Sequence, residues 1–236
     1  MPSRLRAVSL DLDDTLWETV PVLARAEQRL LAWLERHYPR LAAAYDLAGA
    51  RAQRVALARE HPEFAHDMTW LRTESLRRAA VAAGYPEACA REAFEVFHAA
   101  RNDIDPYQDV RPALARLCAR VPVYALSNGN ACVKRVGLGD FFAGAVAPQH
   151  AGAAKPDERI FRHLLQLAGC APHEVLHVGD DPRTDVGGAR AAGLASAWMN
   201  RSGASWPAEL PRADHEVRDM AELVALVEGL LARRSA

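Results

Sequence analysis

A chain of 236 residues, half of them hydrophobic, can hold one large domain or a core with a smaller companion. Its 29 Lys and Arg against 30 Asp and Glu leave a net charge of −1, which gives no electrostatic reason to expect a nucleic acid or an acidic membrane as partner. Four scattered cysteines (Cys89, Cys118, Cys132, Cys170) without a CxxC pair argue against a disulfide framework or a zinc site and fit a reducing compartment.

The first strand is expected in the apolar run Leu5 to Leu10. No signal-peptide core precedes Asp11 and no run approaches a membrane span, so a cytoplasmic location is expected. From Trp17 to about Asp103 the chain reads as helical. Val20, Leu23, Leu30, Leu31 and Leu34 suggest one apolar face. Leu41, Tyr45, Ala48 and Val55 suggest a second helix, Met68, Leu71, Ala79 and Ala83 a third, and Phe94 and Phe97 a fourth.

After Pro106 strands and helices alternate. A helix over 109–119 precedes a strand over 121–126, and a weaker strand is expected over 143–147. Asp157 caps a helix ending at Gly169; a strand over 175–178 runs into Gly179-Asp180-Asp181. A helix over 185–192, strands over 195–199 and around Glu216-Val217, and a final helix through Leu231 complete the pattern. This alternation predicts an α/β fold, a parallel Rossmann-like sheet with helices on both faces, and makes the helical block an insertion after the first strand. The expected domains are a core of 1–16 and 106–236 and a helical cap of 17–105.

Ligands of open parallel sheets bind beyond the carboxyl ends of the strands. Asp11 and Asp13 follow the first strand, Ser127-Asn128-Gly129 the second, Lys155-Pro156 lies in the loop after the third, and Asp180, Asp181 and Asp185 follow the fourth. Each is ordinary turn or capping chemistry alone. Four coincident strand ends are not. The set is an oxygen-rich cage for a hard cation such as Mg²⁺ beside donors for an anion, for which a phosphate group is the natural choice. Lys155 stands out because only it and Lys134 are lysines in a chain that otherwise uses arginine.

In this order, Asp11-Leu12-Asp13-Asp14-Thr15-Leu16, Ser127, Lys155 and Gly179-Asp180-Asp181-Pro182-Arg183-Thr184-Asp185 resemble the four motifs of the haloacid dehalogenase superfamily. The insertion resembles its first type of cap. The resemblance implies a phosphoric monoester hydrolase with Asp11 as nucleophile and Asp13 as general acid and base, forming an aspartyl-phosphate. It implies Mg²⁺ between Asp11, the backbone carbonyl of Asp13, and Asp180, with Asp185 behind them orienting metal-bound waters or Lys155. Ser127, Asn128 and Lys155 would hold the phosphoryl oxygens, and Asp181 is open between the metal and a helix start.

Asp13 separates phosphatases from the dehalogenases proper, which usually lack an acid there. His61-Pro62-Glu63, His66-Asp67, Thr69-Trp70 and Ser127-Asn128-Gly129-Asn130 are similar to a bacterial subgroup acting on FMN and the phosphorylated ribitylaminouracil precursor of riboflavin. A small phosphate ester is therefore the expected partner, and Trp17, His66 and Trp70 either touch it or pack within the cap. The alternatives are a sugar-phosphate or phosphoglycolate phosphatase, a dehalogenase, and a non-catalytic phosphate-binding regulator. A dinucleotide enzyme is disfavoured because no GxGxxG follows the first strand, and a zinc hydrolase because no HExxH occurs.

Overall fold

A computed structural model describes residues 5–232. Six strands, β1 (Ala7–Leu10), β2 (Val123–Leu126), β3 (Gly144–Val146), β4 (Val175–Gly179), β5 (Ala195–Met199) and β6 (His215–Val217), form one sheet in the order β3-β2-β1-β4-β5-β6. Every pair is parallel. Order reverses beside β1, whose neighbours β2 and β4 both come later in the chain. This is the switch point at which such sheets open a crevice. β1, β2 and β4 are buried along their whole length, which accounts for their continuous Val, Leu and Ala content.

The helices are α1 (Thr19–His37), α2 (Pro39–Ala44), α3 (Leu47–Glu60), α4 (Met68–Ala82), α5 (Cys89–Arg101), α6 (Val110–Cys118), α7 (Pro148–Ala151), α8 (Glu158–Ala168), α9 (Gly188–Ala191) and α10 (Met220–Ala232). The chain divides into two compact units. The sheet unit holds the described residues up to Glu18, Asp105–Gly129, and those from Val133 onward; the helical unit holds Thr19–Ile104 and Asn130–Cys132.

In the sheet unit α8 presents Ile160, Phe161 and Leu164 to a core shared with Tyr124, Leu126, Val146 and Val175. It begins at Asp157, whose carboxylate accepts from the Arg159 amide at 2.9 Å, and ends at Gly169 in the left-handed conformation, φ +60°. The expected helix over 185–192 differs in form. Pro182–Gly187 makes a π-helical turn, and only α9 is α-helical. Asp181 caps it, its Oδ1 accepting from the Arg183 and Thr184 amides at 2.8 and 2.7 Å. Its Oδ1 thus starts this segment.

In the helical unit the apolar face of α1 is Val22, Ala26, Leu30 and Leu34. Val20 is 76% exposed, because the helix starts at Thr19 and its first turn lies outside the core face. The second expected helix is two: α2 ends at Ala44, and Asp46 starts α3 by accepting from the Ala48 and Gly49 amides. This restart turns Val55 outward. Phe94 and Phe97 of α5 pack against α1 residues Leu30 and Leu34 and α4 residues Leu76 and Ala80 in one core.

Arg201 pins the loop after β1: its Nε donates to Thr15 O at 2.9 Å and its guanidinium lies 4.1 Å from the Tyr107 ring centre. The helical unit holds its re-entrant segment through α5, with His98 Nε2 donating to Asn130 O at 3.0 Å and Asn102 Oδ1 accepting from the Cys132 amide at 2.7 Å.

An ion pair lies buried in the same unit: Arg72 Nη1 meets Glu27 Oε1 at 2.7 Å, the guanidinium covers the Phe97 ring at 3.5 Å, and Tyr45 donates to Glu27 Oε2 at 3.1 Å. Removing one member leaves the other charged and desolvated. Arg72→Met should therefore lower unfolding stability by about 3–5 kcal/mol, and adding Glu27→Leu should recover most of that loss. Urea unfolding of both variants checks this; a double variant no more stable than Arg72→Met would contradict it.

Candidate active site

β1 ends at Leu10, and the Asp11 amide donates to Val178 O at 2.8 Å, carrying the sheet ladder one residue further. Asp11 thus emerges at the switch point, 6% exposed. Lys155, 4% exposed, places Nζ 2.5 Å from Asp11 Oδ1, 2.6 Å from Asp185 Oδ1 and 2.8 Å from Leu126 O. An ammonium has three donors, and all three are engaged. A phosphoryl oxygen would gain from Lys155 chiefly through its charge, or by displacing one of these acceptors.

The Lys155 backbone is fixed by Asn128, whose Oδ1 accepts from the Lys155 amide at 2.7 Å while Nδ2 donates to Lys155 O at 2.9 Å. The Asn128 side chain thus serves the lysine, leaving its backbone amide as what it offers an anion. Ser127 Oγ accepts from the Gly129 amide at 3.0 Å, which curls this loop after β2. Asp11, Asp13, Ser127, Asn128, Lys155, Asp180 and Asp185 all line one cavity of about 140 Å³ in the sheet unit.

Asp185 is supported from beneath. His177 Nε2 donates to its Oδ1 at 3.1 Å, and the Asp181 amide donates to its Oδ2 at 3.0 Å. Ser9 Oγ lies 2.8 Å from His177 Nδ1, so the hydroxyl donates and the ring keeps its proton on Nε2. Burial holds His177 below its ordinary pKa, which keeps the ring neutral. A chain of contacts therefore runs Ser9, His177, Asp185, Lys155, Asp11. Burial works against the charge on Asp185, yet Lys155 and His177 outweigh it and keep the carboxyl well below the usual range. Lys155, although buried, is raised by Asp11 and Asp185.

Asp11 and Asp180 are less well compensated. Burial, with the charge of Asp185 added, raises Asp11 well above its ordinary value against the pull of Lys155. Burial and then the charges of Asp185 and Asp14 push Asp180 up to about 7. Carboxylate oxygens of Asp11, Asp180 and Asp185 lie within 4.8 Å of one another. Three carboxylates against one ammonium fit a hard divalent cation, which favours oxygen ligands. Because the oxygens of Asp185 are taken by Lys155, His177 and the Asp181 amide, Asp11 and Asp180 are the carboxylates of this group that would hold a cation. Trp198 Nε1 steadies this edge by donating to Asp180 O at 2.8 Å.

The loop after Asp11 is a tight turn. The Leu16 amide bonds Leu12 O and the Asp14 amide bonds Trp17 O, each at 2.8 Å. Asp14 has φ +57°, a left-handed conformation that Asp tolerates better than most residues, so its part is conformational. Trp17 is fully buried in the sheet unit and donates from Nε1 to Asp13 Oδ1 at 2.9 Å. It is not an open ring for a ligand. In the helical unit Trp70 stacks on Phe64 at 4.4 Å with His61 edge-on at 5.1 Å, and His66 is partly buried.

Trp17 was expected to touch the substrate or pack within the cap, and neither describes its place in the sheet unit on Asp13; the parts of His177 and of the Asn128 side chain were not expected from sequence. A signal for His177 existed: Ser9 and His177 are polar positions inside buried apolar strands, and the register of β1 on β4 places them opposite each other.

The profile of the haloacid dehalogenase-like hydrolases matches residues 5–193. The chain belongs to that family. It is 34% identical over 203 residues to the 5-amino-6-(5-phospho-D-ribitylamino)uracil phosphatase YigB of Escherichia coli, covering 83% of this chain and 84% of that one. It is 30% identical to the phosphoserine phosphatase of Thermus thermophilus, covering 84% and 89%. The crystal structure of a 2-haloacid dehalogenase from Pseudomonas syringae superposes with a TM-score of 0.90 at 35% identity over 97% of this chain and 99% of that one. Among the described residues no helix is long and apolar enough to cross a membrane.

Gly179 tests how tightly this hydrolase site is built. A Cβ there would overlap the Asp185 carboxylate, which must then move off Lys155. Gly179→Ala and Asp185→Asn should each cut turnover by about 10–100-fold with the far-UV circular dichroism unchanged. A fully active Gly179→Ala would contradict the arrangement.

Proposed function

We propose that the protein is a Mg²⁺-dependent phosphatase of small phosphate monoesters, working through an aspartyl-phosphate on Asp11. The observation that carries this is the buried Asp11 carboxylate beside the Lys155 ammonium, in one cavity with Asp13 and Asp180. In the first step an Asp11 oxygen attacks phosphorus in line as the ester P–O bond breaks, and a proton from Asp13 passes to the departing alkoxide. In the second, water attacks phosphorus, its proton returns to Asp13, and the P–O bond to Asp11 breaks. A bound Mg²⁺ would supply charge screening between nucleophile and phosphoryl oxygens. The Ser127 hydroxyl, the Asn128 backbone amide and the Lys155 charge favour the trigonal phosphoryl oxygens.

Carbon–halogen cleavage needs no proton for its leaving group, whereas an alkoxide does. Asp13 therefore favours phosphate esters, and the two relatives named phosphatases agree. Within that class the substrate is FMN or a phosphorylated riboflavin precursor, a choice supported by the likeness to the ribitylaminouracil phosphatase. The helical unit, inserted directly after the β1 loop, would act as a cap that contacts the substrate body. A cytoplasmic location suits this small-molecule chemistry.

The likeness to the Pseudomonas syringae 2-haloacid dehalogenase supports a second activity, halide release from a 2-haloacid, in which the same Asp11 would attack carbon.

Parallel assays separate the two. With Mg²⁺ the protein should release phosphate from FMN, a sugar phosphate and phosphoglycolate, with kcat/KM highest for FMN; EDTA should abolish turnover and Mg²⁺ restore it. Asp11→Asn should lose at least about 10³-fold, the scale on which removing a nucleophile acts. Halide release without phosphate release would overturn the phosphatase assignment, and a flat substrate profile would remove the flavin preference alone.

A further inference from the structure

We propose that Trp17 is the positioning residue of the proton shuttle: its indole N–H helps hold the Asp13 carboxyl, the group that carries the proton, in one orientation. Trp17 is fully buried, and Nε1 lies 2.9 Å from Asp13 Oδ1. An indole N–H donates and cannot accept, so Trp17 can orient Asp13 without competing for the proton it carries. The bond also locks the carboxyl rotation. Of the rotamers open to a short carboxylate side chain, few face a leaving group.

The backbone makes this pairing part of the loop. Asp13 and Trp17 form a parallel bridge, and the Asp14 amide donates to Trp17 O at 2.8 Å. The turn between them is anchored from outside, by the Tyr107 amide on Leu16 O at 3.0 Å and by Arg201 on Thr15 O at 2.9 Å. Trp17 therefore cannot follow Asp13 if the carboxyl swings away. The indole is a fixed post, and Asp13 is the group held to it.

The catalytic consequence rests on the phosphatase assignment; the hydrogen bond does not. In the first step the P–O bond to the alcohol breaks, its electron pair stays on the alcohol oxygen, and the proton on Asp13 moves to that oxygen. In the second step a water proton moves to Asp13 as the water oxygen bonds to phosphorus and Asp11 departs. Trp17 exchanges no proton in either. In the first step its removal should therefore matter where the leaving group needs a proton and matter little where it does not; the second step is common to all esters.

Two measurements test this. In ¹⁵N-tryptophan spectra of the intact protein, the Trp17 indole N–H, assigned by its loss in Trp17→Phe, should exchange slowly with solvent and shift in Asp13→Ala. Fast exchange, or no shift, would overturn the bond whatever the activity. In kinetics, Trp17→Phe should lower kcat/KM, which reports the first step, for an alkyl ester such as FMN by about tenfold or more, while kcat/KM for p-nitrophenyl phosphate falls by less than about twofold, because nitrophenolate leaves unprotonated. Site-specific replacement of Trp17 by benzothienylalanine, which keeps the bicyclic shape and lacks the N–H, should reproduce this difference if Trp17→Phe folds poorly. Equal losses of kcat/KM on both esters would show a packing role only and overturn the positioning role. Failure of the unaltered protein to hydrolyse either ester would refute the phosphatase assignment and leave the indole measurement standing on its own.

Discussion

The site depends on one buried ammonium. Lys155 sits almost wholly out of water, where an unpaired charge costs several kcal/mol, and it is tolerable there only because Asp11, Asp185 and the Leu126 carbonyl take its three protons. Each acceptor is supplied by a different segment of the sheet edge. Asp11 follows β1, Leu126 ends β2, and Asp185 lies beyond β4. The lysine thereby ties three strand ends to one point, and the strand order that brings β2 and β4 to either side of β1 becomes a requirement of the charge balance.

Around that point the protein spends its hydrogen bonds on positioning. Asn128 grips the Lys155 backbone from both sides, His177 and the Asp181 amide hold Asp185, and Trp17 holds Asp13. None of these supporting contacts needs to meet a substrate. Together they fix the orientation of groups that would otherwise swing, which is how a site on loops acquires the precision of one on rigid elements. The remaining imbalance is on Asp11 and Asp180, both raised chiefly by burial and like charge, and it is this excess of negative charge that suits a divalent cation.

Much of the parallel sheet was legible in the sequence because buried strands are continuous apolar runs and the acids at their ends break them abruptly. The strand of Val175 to Val178 and its Gly-Asp-Asp terminus illustrate this. The details that escaped depend on direction. Val20 has the spacing of a core residue yet lies outside the core face of α1, and Asp46 restarts a helix where Tyr45 and Ala48 read as one. Trp17 belongs by composition to the helical stretch, but its ring turns back onto Asp13, a contact four residues away that no periodicity encodes. His177 was visible as a polar residue in a buried strand, but its part required the register that sets it opposite Ser9 and below Asp185.

Family membership alone leaves the bond that is broken undecided, since named phosphatases and a named dehalogenase are comparably similar to this chain. Both chemistries begin at Asp11; they part at the atom it attacks. Rapid acid quench during turnover of a phosphate ester, borohydride trapping and peptide mass spectrometry locate that bond. The account predicts a phosphoryl group on Asp11, seen as its reduced derivative at that residue alone. Steady phosphate release with Asp11 unmodified, or trapping at any other residue, would contradict it.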